Sequence, residues 1–599
     1  MLGKVLQSDW LAKFKLANVS LALVGLMCVF PFLHYRHENP LTTFDQEWWC
    51  ALLGMLALAL LAAREFWQRL EIPRIAQLPA ALIVIVLLQL SLGKVPYFAQ
   101  ALLYISYLMF ASLMMLLGAR LRALFGIDKL SIALAISLLI GAELSAMIGA
   151  LQHYQWHTPL DAVIVMRSSS GLYGNLAQPN HFADYIALGL ISLGLLFQQR
   201  KLNPLYVILL TVPLIFALTL SGSRSSWLYL LLMNCLAWWS ARRAAAMRPL
   251  LRYSLLLVAG FGLMHLLVQM SFMAGADNGT TTVQRLLAYN GSGDTGGSIR
   301  LYLWHEAWLM LMQFPILGVG FGQFAWHHFL LLPSLQASNI SGLYNNAHNL
   351  VFQLAAEAGI AGLLALFVSF GIWFYGLRRV RPSASHWWGY AALGVLGIHS
   401  LLEYPLWYTY FLAIAAILLG AFDETHYRLA PQNVWRFSLV MILLLGLLSL
   451  MQLRSDYRKL KETIAIPISS ENAKSRIRDG LLAIQHGGAL LSPYADELFL
   501  EFADVNADHI KQKLALGSTV ARFRPSAMAV YRQAYFLAQD GQMDHAKQLL
   551  EQAIWSYPDE SSPQQLLQNL ARKDPAHFSA LLEFYLQKEQ EHARAIRNQ

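Results

Sequence analysis

Long apolar runs separated by short polar stretches dominate roughly the first three quarters of the chain. A helix needs about 20 apolar residues to cross the hydrocarbon core of a bilayer. By this measure the pattern predicts about thirteen membrane-spanning helices, at residues 16–33, 47–63, 76–93, 98–117, 127–150, 181–198, 204–221, 225–240, 253–272, 348–377, 386–403, 406–421 and 436–453. No small-residue cleavage site follows the first run, so we interpret it as a retained helix rather than a signal peptide.

Charge alternates between successive loops, and this alternation predicts the orientation of the chain. One set of loops is basic and is expected in the cytoplasm by the positive-inside rule: the N-terminus with Lys4, Lys13 and Lys15, then Arg64, Arg69 and Arg74, Arg120 and Arg122, Arg200 and Lys201, Arg242, Arg243 and Arg248, and Arg378, Arg379 and Arg381. The opposite set lacks this excess: 34–46, 94–97, 151–180, 221–224, 271–347 and 403–405. An odd number of spans puts the C-terminal part on the outer side, the periplasm in a Gram-negative bacterium.

Composition supports the same class of protein. Of the 599 residues, 57% are hydrophobic and 13% are charged, whereas soluble domains average about 45–50% apolar and about 25% charged residues. These values exclude an ordinary soluble enzyme and a disordered chain. The net charge of +9 belongs to the cytoplasmic loops, so we expect no nucleic-acid partner. We therefore expect an all-α, polytopic membrane protein.

Two regions follow from these patterns: a transmembrane domain at 1–453, with a large outer loop at 271–347, and a polar helical domain at 454–599. Within the second region, residues 527–558 resemble one tetratricopeptide unit. Gly541 lies at the turn, Ala546 and Ala553 take the packing positions, and Val530 replaces the usual aromatic residue. A generic helical hairpin explains the segment nearly as well, and tetratricopeptide units mostly bind peptides or proteins.

Several common catalytic motifs are missing from the sequence. It contains no Gly-rich nucleotide loop with a Walker lysine, no H-E-x-x-H zinc motif, no G-x-S-x-G elbow and no D-x-D pair. This argues against a cytoplasmic sugar-nucleotide transferase and against ATP-driven transport.

Unusual polar residues cluster in the outer loops instead. The stretch 171–181 contains the amides Asn175, Gln178 and Asn180, followed by His181. These amides could bind polyhydroxyl groups; alternatively they cap the next helix, with Asn180 as the N-cap. Arg224 in S-G-S-R-S-S lies near the hydrocarbon, which is costly unless it pairs with an anion or extends to the lipid headgroups.

Two further motifs lie in or next to the large loop. Arg300 begins a predicted amphipathic helix with Trp304 and Trp308, which would also suit an interfacial helix. His348, in Y-N-N-A-H-N, is expected at a helix start near the membrane surface, where imidazole can act as acid, base or hydrogen-bond donor. A lone histidine is usually structural, but this one accompanies two outer arginines, an amide-rich loop and the turn H-S-L-L-E-Y-P at 399–405.

This set of residues suits a lipid-linked sugar diphosphate, which places an anion at membrane depth. Arg224 and Arg300 would hold the diphosphate and stabilise the charge that it gains on leaving. His348 would orient or deprotonate an incoming hydroxyl, and polar side chains would hold sugar or acceptor: Gln178, Asn180, Asn349, Glu403 and Tyr404. We expect neither a metal nor another cofactor, because the leaving group is already good and the arginines supply the positive charge.

The order and spacing of these motifs resemble the O-antigen ligase and polymerase superfamily. The resemblance rests on the arginine of S-G-S-R-S-S, the arginine of G-G-S-I-R-L-Y-L-W and the histidine of N-N-A-H-N. Q-P-N-H at 178–181 and L-E-Y-P at 402–405 are similar to the bacterial protein O-oligosaccharyltransferases, the pilin-glycosylation ligases. This resemblance covers most of residues 1–450.

The resemblance implies a bacterial inner-membrane enzyme with its active site facing the periplasm and an inverting, metal-independent mechanism. Such an enzyme moves a preassembled glycan from undecaprenyl diphosphate to serine or threonine of a periplasmic protein such as pilin. The functional positions carried over are Arg224, Arg300 and His348, with Gln178 and Tyr404 from the protein-acceptor branch. Membrane lipids are the remaining partners.

Two alternatives use other chemistry or another acceptor. A ligase or polymerase would use the same donor with lipid A core or a sugar as acceptor, and only the acceptor features separate it from a protein glycosyltransferase. A transporter or flippase for lipid-linked glycans should show internal repeats and many deep charges; the deep acids counted here are few, Glu143 and Glu357.

Overall fold

The computed structural model describes residues 2–63, 66–67, 70–166, 171–270, 273, 275, 295–335, 342–378, 380–429, 433–467, 471–486, 490–558 and 560–598. The predicted cytoplasmic residues Arg64, Arg69 and Arg379 lie outside this part of the chain, as does most of the predicted loop between 271 and 294.

The described residues are mostly helical, as the sequence predicts, with 80% in helices and almost no strand. The helices of the first half are α1 (Leu2–Met27), α2 (Phe30–Leu33), α3 (Phe44–Ala57), α4 (Gln77–Ser91), α5 (Phe98–Phe125), α6 (Ile127–Tyr154), α7 (Pro179–Gln198), α8 (Pro204–Leu220), α9 (Ser225–Arg243) and α10 (Arg248–Leu267). Two short strands, β1 (Leu70–Pro73) and β2 (His426–Leu429), pair antiparallel with Leu70 opposite Leu429.

The second half continues in the same way. Its helices are α11 (Thr295–Gln313), α12 (Phe324–Leu335), α13 (Leu350–Leu377), α14 (Ala384–Leu402), α15 (Thr409–Ala421), α16 (Asn433–Ile464), α17 (Glu471–His486), α18 (Ser492–Phe502), α19 (Ile510–Phe523), α20 (Ala527–Gln539), α21 (Met543–Ser556), α22 (Ser561–Lys573) and α23 (Pro575–Asn598). Every predicted span overlaps at least one of these helices, although the span at 16–33 covers both α1 and α2 and residues 271–272 of the span at 253–272 lie outside the described part of the chain.

Nine helical stretches among the described residues are long and apolar enough to cross a membrane. They are Lys15–Leu33, Phe44–Ala62, Arg74–Ser91, Phe98–Phe125, Ile127–Tyr154, Pro179–Gln198, Ala245–Leu267, Leu350–Leu377 and Val434–Ile464. Two shorter apolar helices are Pro204–Leu220 and Thr409–Ala421. The chain is therefore a multi-pass membrane protein, and the predicted count of thirteen spans stays a prediction.

Two compact units divide the chain, and the first comprises residues 1–80, 109–295 and 366–450. Close helix packing defines its core, and glycines allow it. A Cβ on Gly118 of α5 would lie 2.1 Å from the carbonyl oxygen of Ile417, and one on Gly420 of α15 would lie 1.9 Å from that of Met115. These two helices therefore touch backbone to backbone. Helix α7 is almost entirely buried.

The second unit comprises residues 81–108, 296–365 and 451–599. Its C-terminal helices share a core that includes Val530, Ala546 and Ala553, none of them accessible to solvent, and Phe329 of α12 packs into the same core. Gly541, with φ of +81°, makes the turn between α20 and α21. A helical hairpin thus occupies residues 527–556 of the segment predicted at 527–558, while its membership of the tetratricopeptide class and the domain boundary at 453 stay predictions.

Helix α13 is interrupted inside the second unit at Gly359, whose φ is +64°. The segment 315–320 supplies the hydrogen bonds that the break removes. Val319 donates its backbone N–H to the carbonyl of Ala356 at 2.8 Å, and Ile360 donates to the carbonyl of Pro315 at 2.8 Å. A broken helix at membrane depth is tolerated where protein satisfies its backbone in this way.

Candidate functional site

In the first unit, the loop at 171–180 packs against the end of α8. The backbone N–H of Leu172 donates to the carbonyl of Leu220 at 2.9 Å. A Cβ on Gly171 would lie 2.7 Å from the carbonyl oxygen of Ser221, so only glycine fits there without a shift. This contact places the amide-rich loop beside the segment that carries Arg224.

The start of α7 differs from the sequence expectation. The N-cap is Gln178, whose side-chain oxygen accepts a hydrogen bond from the N–H of His181, and Pro179 occupies the first helical position. Proline suits that position because its φ is already helical and it has no N–H to satisfy. The alternative in which Asn180 is the cap is therefore excluded, and the side chain of Asn180 makes other contacts.

Asn180 joins three of the motifs found in the sequence. Its Nδ2 donates to Oε1 of Glu403 at 3.0 Å, and its Oδ1 accepts a hydrogen bond from Oγ of Ser223 at 2.8 Å. Glu403 is buried, with 8% of its surface exposed. The Q-P-N-H loop, the serine–arginine loop and the E-Y-P turn thus meet through one amide.

Tyr404 and Arg224 flank this hydrogen-bonded cluster along the chain. Tyr404 is half-buried, and its ring stacks on that of Tyr408 with centroids 5.9 Å apart. Burial raises the pKa of Tyr404 above its ordinary value, so its hydroxyl stays protonated near neutral pH. Arg224 is half-buried immediately before α9, whose first residues Ser225 and Ser226 are buried. A helix N-terminus next to a guanidinium is a favourable environment for an anion.

In the second unit, α11 is bonded to the loop that carries His348. The indole Nε1 of Trp304 donates to the carbonyl of Ala347 at 3.0 Å, and its ring stacks on Phe352 with centroids 5.1 Å apart. Arg300 precedes Trp304 by four residues and so lies on the same face of the helix. The structure therefore connects the helix face of Arg300 with the backbone next to His348.

The His348 turn is held by side-chain amides. The N–H of His348 donates to Oδ1 of Asn346 at 2.8 Å, and the N–H of Ala347 donates to Oε1 of Gln353 at 2.6 Å. His348 itself has φ of +52°, a left-handed conformation that is uncommon for a residue with a side chain. Strained backbone of this kind concentrates at functional sites.

Asn349 has a clear structural role at the same place. Its Oδ1 accepts hydrogen bonds from the N–H groups of Val351 at 2.9 Å and Phe352 at 3.2 Å. It therefore caps the start of α13, and its predicted role in binding substrate stays a prediction.

Two buried acid–histidine pairs were missed by the sequence interpretation. In the first unit, Asp184 of α7 is hydrogen-bonded to Nδ1 of His399, and both side chains are fully buried. In the second unit, Glu306 is bonded to Nδ1 of His328 at 2.7 Å. The side chains of the second pair are fully buried as well. The count of deep acids omitted Asp184, although its position four residues after Asn180 on a helix was a signal that could have identified it.

No group of three or more His, Cys, Asp or Glu in the described part of the chain could hold a metal ion.

Comparison with protein-family models gives three matches. The model described as "O-Antigen ligase" matches residues 209–367, which include Arg224, Arg300 and His348. The model "Protein glycosylation ligase" matches 172–197, and "Virulence factor membrane-bound polymerase, C-terminal" matches 387–571.

Two curated relatives come from Acinetobacter baylyi. A general O-oligosaccharyltransferase is 28% identical over 460 residues, covering 74% of this chain and 76% of the relative. A ComP-specific O-oligosaccharyltransferase is 27% identical over 373 residues, covering 62% of this chain and 65% of the relative.

These matches define the class of protein: the chain is a multi-pass membrane glycosyltransferase, and part of it is similar to the O-antigen ligases. Within that class, the predicted resemblance to the bacterial protein O-oligosaccharyltransferases is confirmed.

Proposed function

We propose that the chain transfers a preassembled oligosaccharide from undecaprenyl diphosphate to serine or threonine hydroxyls of periplasmic proteins, pilin among them. The names of the two curated relatives support a protein acceptor. The observation that carries the proposal is the His348 turn, a left-handed histidine fixed by Asn346 and anchored to the Arg300 helix through Trp304.

The reaction divides into binding and displacement. Arg224 and Arg300 bind the diphosphate, because guanidinium groups match its oxygens in a two-pronged contact. His348 accepts the proton of the acceptor hydroxyl as its oxygen bonds to C1 of the sugar. The bond between C1 and the diphosphate oxygen breaks, and its electron pair leaves with the lipid diphosphate. Attack opposite the leaving group inverts C1, and no step requires a metal or cofactor.

The remaining polar groups bind the glycan and the acceptor. Gln178, Asn180, Glu403 and Tyr404 hold the glycan or the acceptor, and Asn349 supports the His348 turn. The predicted tetratricopeptide-like segment binds the acceptor protein. A contact within the second unit supports this role. Gly342, six residues before His348, donates its N–H to the carbonyl of Ser556 at the end of this segment, at 2.8 Å.

In our proposal the enzyme lies in the bacterial inner membrane and this chemistry takes place in the periplasm, an orientation that the basic loops support. The large loop at 271–347 and the helical domain at 454–599 lie on that side in the proposal, as does the lipid-linked donor during transfer.

A second candidate is a ligase or polymerase that adds glycan to lipid A core or another sugar. The match of residues 387–571 to a polymerase C-terminal model favours it.

Intact-mass analysis separates the two. Periplasmic proteins and lipopolysaccharide are compared in cells carrying the wild-type gene, no gene, or the His348→Ala variant. Our proposal predicts that protein-linked glycan disappears in the last two while lipopolysaccharide is unchanged. The reverse pattern would establish the second candidate, and no change in either molecule would contradict both.

A further inference from the structure

Two side-chain bridges join α7 to α14 in the first unit. Asn180 of α7 is bonded to Glu403 at the end of α14, and Asp184 is bonded to His399. On both helices the partners are four residues apart, which is about one helical turn. The bridges are therefore consecutive rungs between antiparallel helices, and we call these four residues the α7–α14 ladder.

The second rung is fully buried, whereas the first is nearer the surface. Asp184 and His399 expose none of their surface, and Glu403 exposes 8%. The second rung is also covered from the side, because the ring of His181 lies 5.3 Å from that of His399 and 4.7 Å from that of Tyr408. Only the Asn180–Glu403 rung is thus a candidate for contact with a substrate.

The helices end at the first rung. The N–H of Glu403 donates to the carbonyl of His399 at 2.8 Å, which closes the last turn of α14, and Asn180 lies in the first turn of α7. Helix ends move more readily than helix centres, so Asn180 and Glu403 depend on the rung behind them for their position.

A buried acid–histidine pair is an inefficient way to hold two helices together. Removing its polar groups from water costs free energy that apolar side chains of similar size would not cost. The best-attested benefit of such a pair is a fixed register between the elements that it joins. Asp184 and His399 therefore suit a role in geometry better than one in bulk stability.

We infer that Asp184 and His399 are positioning residues that set the Asn180–Glu403 rung to bind hydroxyl groups of the transferred glycan. An amide and a carboxylate side by side offer both donors and acceptors, the combination that sugar hydroxyls require. This inference rests on the proposed function and names the class of group that the rung contacts.

The same helix pair provides a matched control. Nε1 of Trp388 in α14 donates to Oγ of Ser192 in α7 at 3.1 Å, and Ser192 lies eight residues beyond Asp184, about 12 Å along the helix. Ser192→Ala therefore removes a buried bridge between the same two helices at a distance from the ladder.

Steady-state transfer is measured with purified enzyme, a lipid-linked oligosaccharide and an acceptor protein. We expect Asp184→Ala to raise the KM for the lipid-linked donor about tenfold, with kcat changed less, because glycan hydrogen bonds are weakened. Ser192→Ala should change neither constant by more than about twofold. A purely structural role for Asp184 would leave KM unchanged and reduce the amount of active enzyme, and that result would overturn the inference.

A reversed pair tests the geometry and remains decisive should Asp184→Ala fail to fold. In Asp184→His combined with His399→Asp, an acid and a histidine again face each other. Recovery of the wild-type KM supports positioning by the bridge, whereas a folded double variant with a high KM contradicts it. A wild-type enzyme that transfers no glycan to protein would overturn the proposed function itself, a separate outcome.

Discussion

The indole of Trp304 donates a hydrogen bond to the backbone carbonyl of Ala347, the residue immediately before His348. The bond fixes the backbone of the histidine turn to α11 at a point one turn away from Arg300. Amides complete the turn, because Asn346 accepts the N–H of His348 and Gln353 accepts the N–H of Ala347. Three hydrogen bonds thus hold the main chain of the turn that carries the imidazole.

His348→Ala should reduce glycan transfer by at least about 100-fold, the effect expected for loss of a general base. The amount of protein in the membrane should stay the same, because the turn is held by neighbouring side chains. Intact mass of the acceptor protein measures transfer. His305→Ala removes an exposed histidine of α11 and is the matched control. Transfer at the wild-type rate by His348→Ala would eliminate the proposed base.

Trp304→Phe tests the hydrogen bond from the indole of Trp304 to the carbonyl of Ala347. Phenylalanine preserves stacking on Phe352 but cannot donate to Ala347. We expect transfer to fall about fivefold, since the lost hydrogen bond contributes about 1 kcal/mol to holding the histidine turn in place. Trp308→Phe is the comparison, because Trp308 is 52% exposed on the same helix. Equal activity of the two variants would show that the turn keeps its geometry without the bond.

Arg224→Lys and Arg300→Lys should each lower transfer at least tenfold. An ammonium group keeps the charge but cannot reproduce the two-pronged contact of guanidinium with diphosphate oxygens. Initial rates at fixed donor concentration are sufficient for this test. Arg252→Lys, at an exposed position of α10, controls for expression and general charge. Near-normal rates in either test variant would assign that arginine to the membrane surface.

Treatment with a chelator should leave transfer unchanged in purified enzyme. The scheme places positive charge on two guanidinium groups, so it requires no divalent ion. Rates are compared before and after incubation with excess chelator, followed by addition of magnesium or manganese. Loss of activity that returns with the metal would contradict this mechanism.

A reporter that is active only in the periplasm should be active when it is fused after Gln599. This follows from an odd number of spans and a cytoplasmic N-terminus. A second fusion after Leu202, next to the basic pair Arg200 and Lys201, should report the cytoplasm. Activity of the terminal fusion in the cytoplasm would mean that the number of spans is even.

Apolar length predicted most of the helices in the membrane part of the chain. The span predicted at 127–150 is the helix Ile127–Tyr154, and that predicted at 348–377 begins at Leu350. Such runs are easy to recognise, because a helix that is surrounded by lipid or by protein is apolar along its whole length. The interruption at Gly359 was not predicted, because it depends on the segment 315–320, which is distant in the sequence.

Sequence patterns identified individual polar groups more readily than their partners. Asn180 and Glu403 were both selected, but their hydrogen bond joins residues 223 positions apart. Asp184 was missed as one half of a buried pair. Its partner is His399, and only the packing of α7 on α14 brings the two side chains together. Asn180 was considered as a cap of α7 beside a role in binding, but Pro179 occupies the first helical position and makes Gln178 the cap.

The break in α13 has a consequence for how this chain can change in length. Gly318 and Gly359 meet where a Cβ on either would lie within 2.6 Å of backbone atoms, so the loop and the helix interlock at one register. Each residue inserted between His348 and Gly359 would rotate the histidine by about 100° relative to that lock. Deletions would do the same in the opposite sense. The number of residues between His348 and Gly359 is therefore expected to be fixed, and insertions are expected in other parts of the chain.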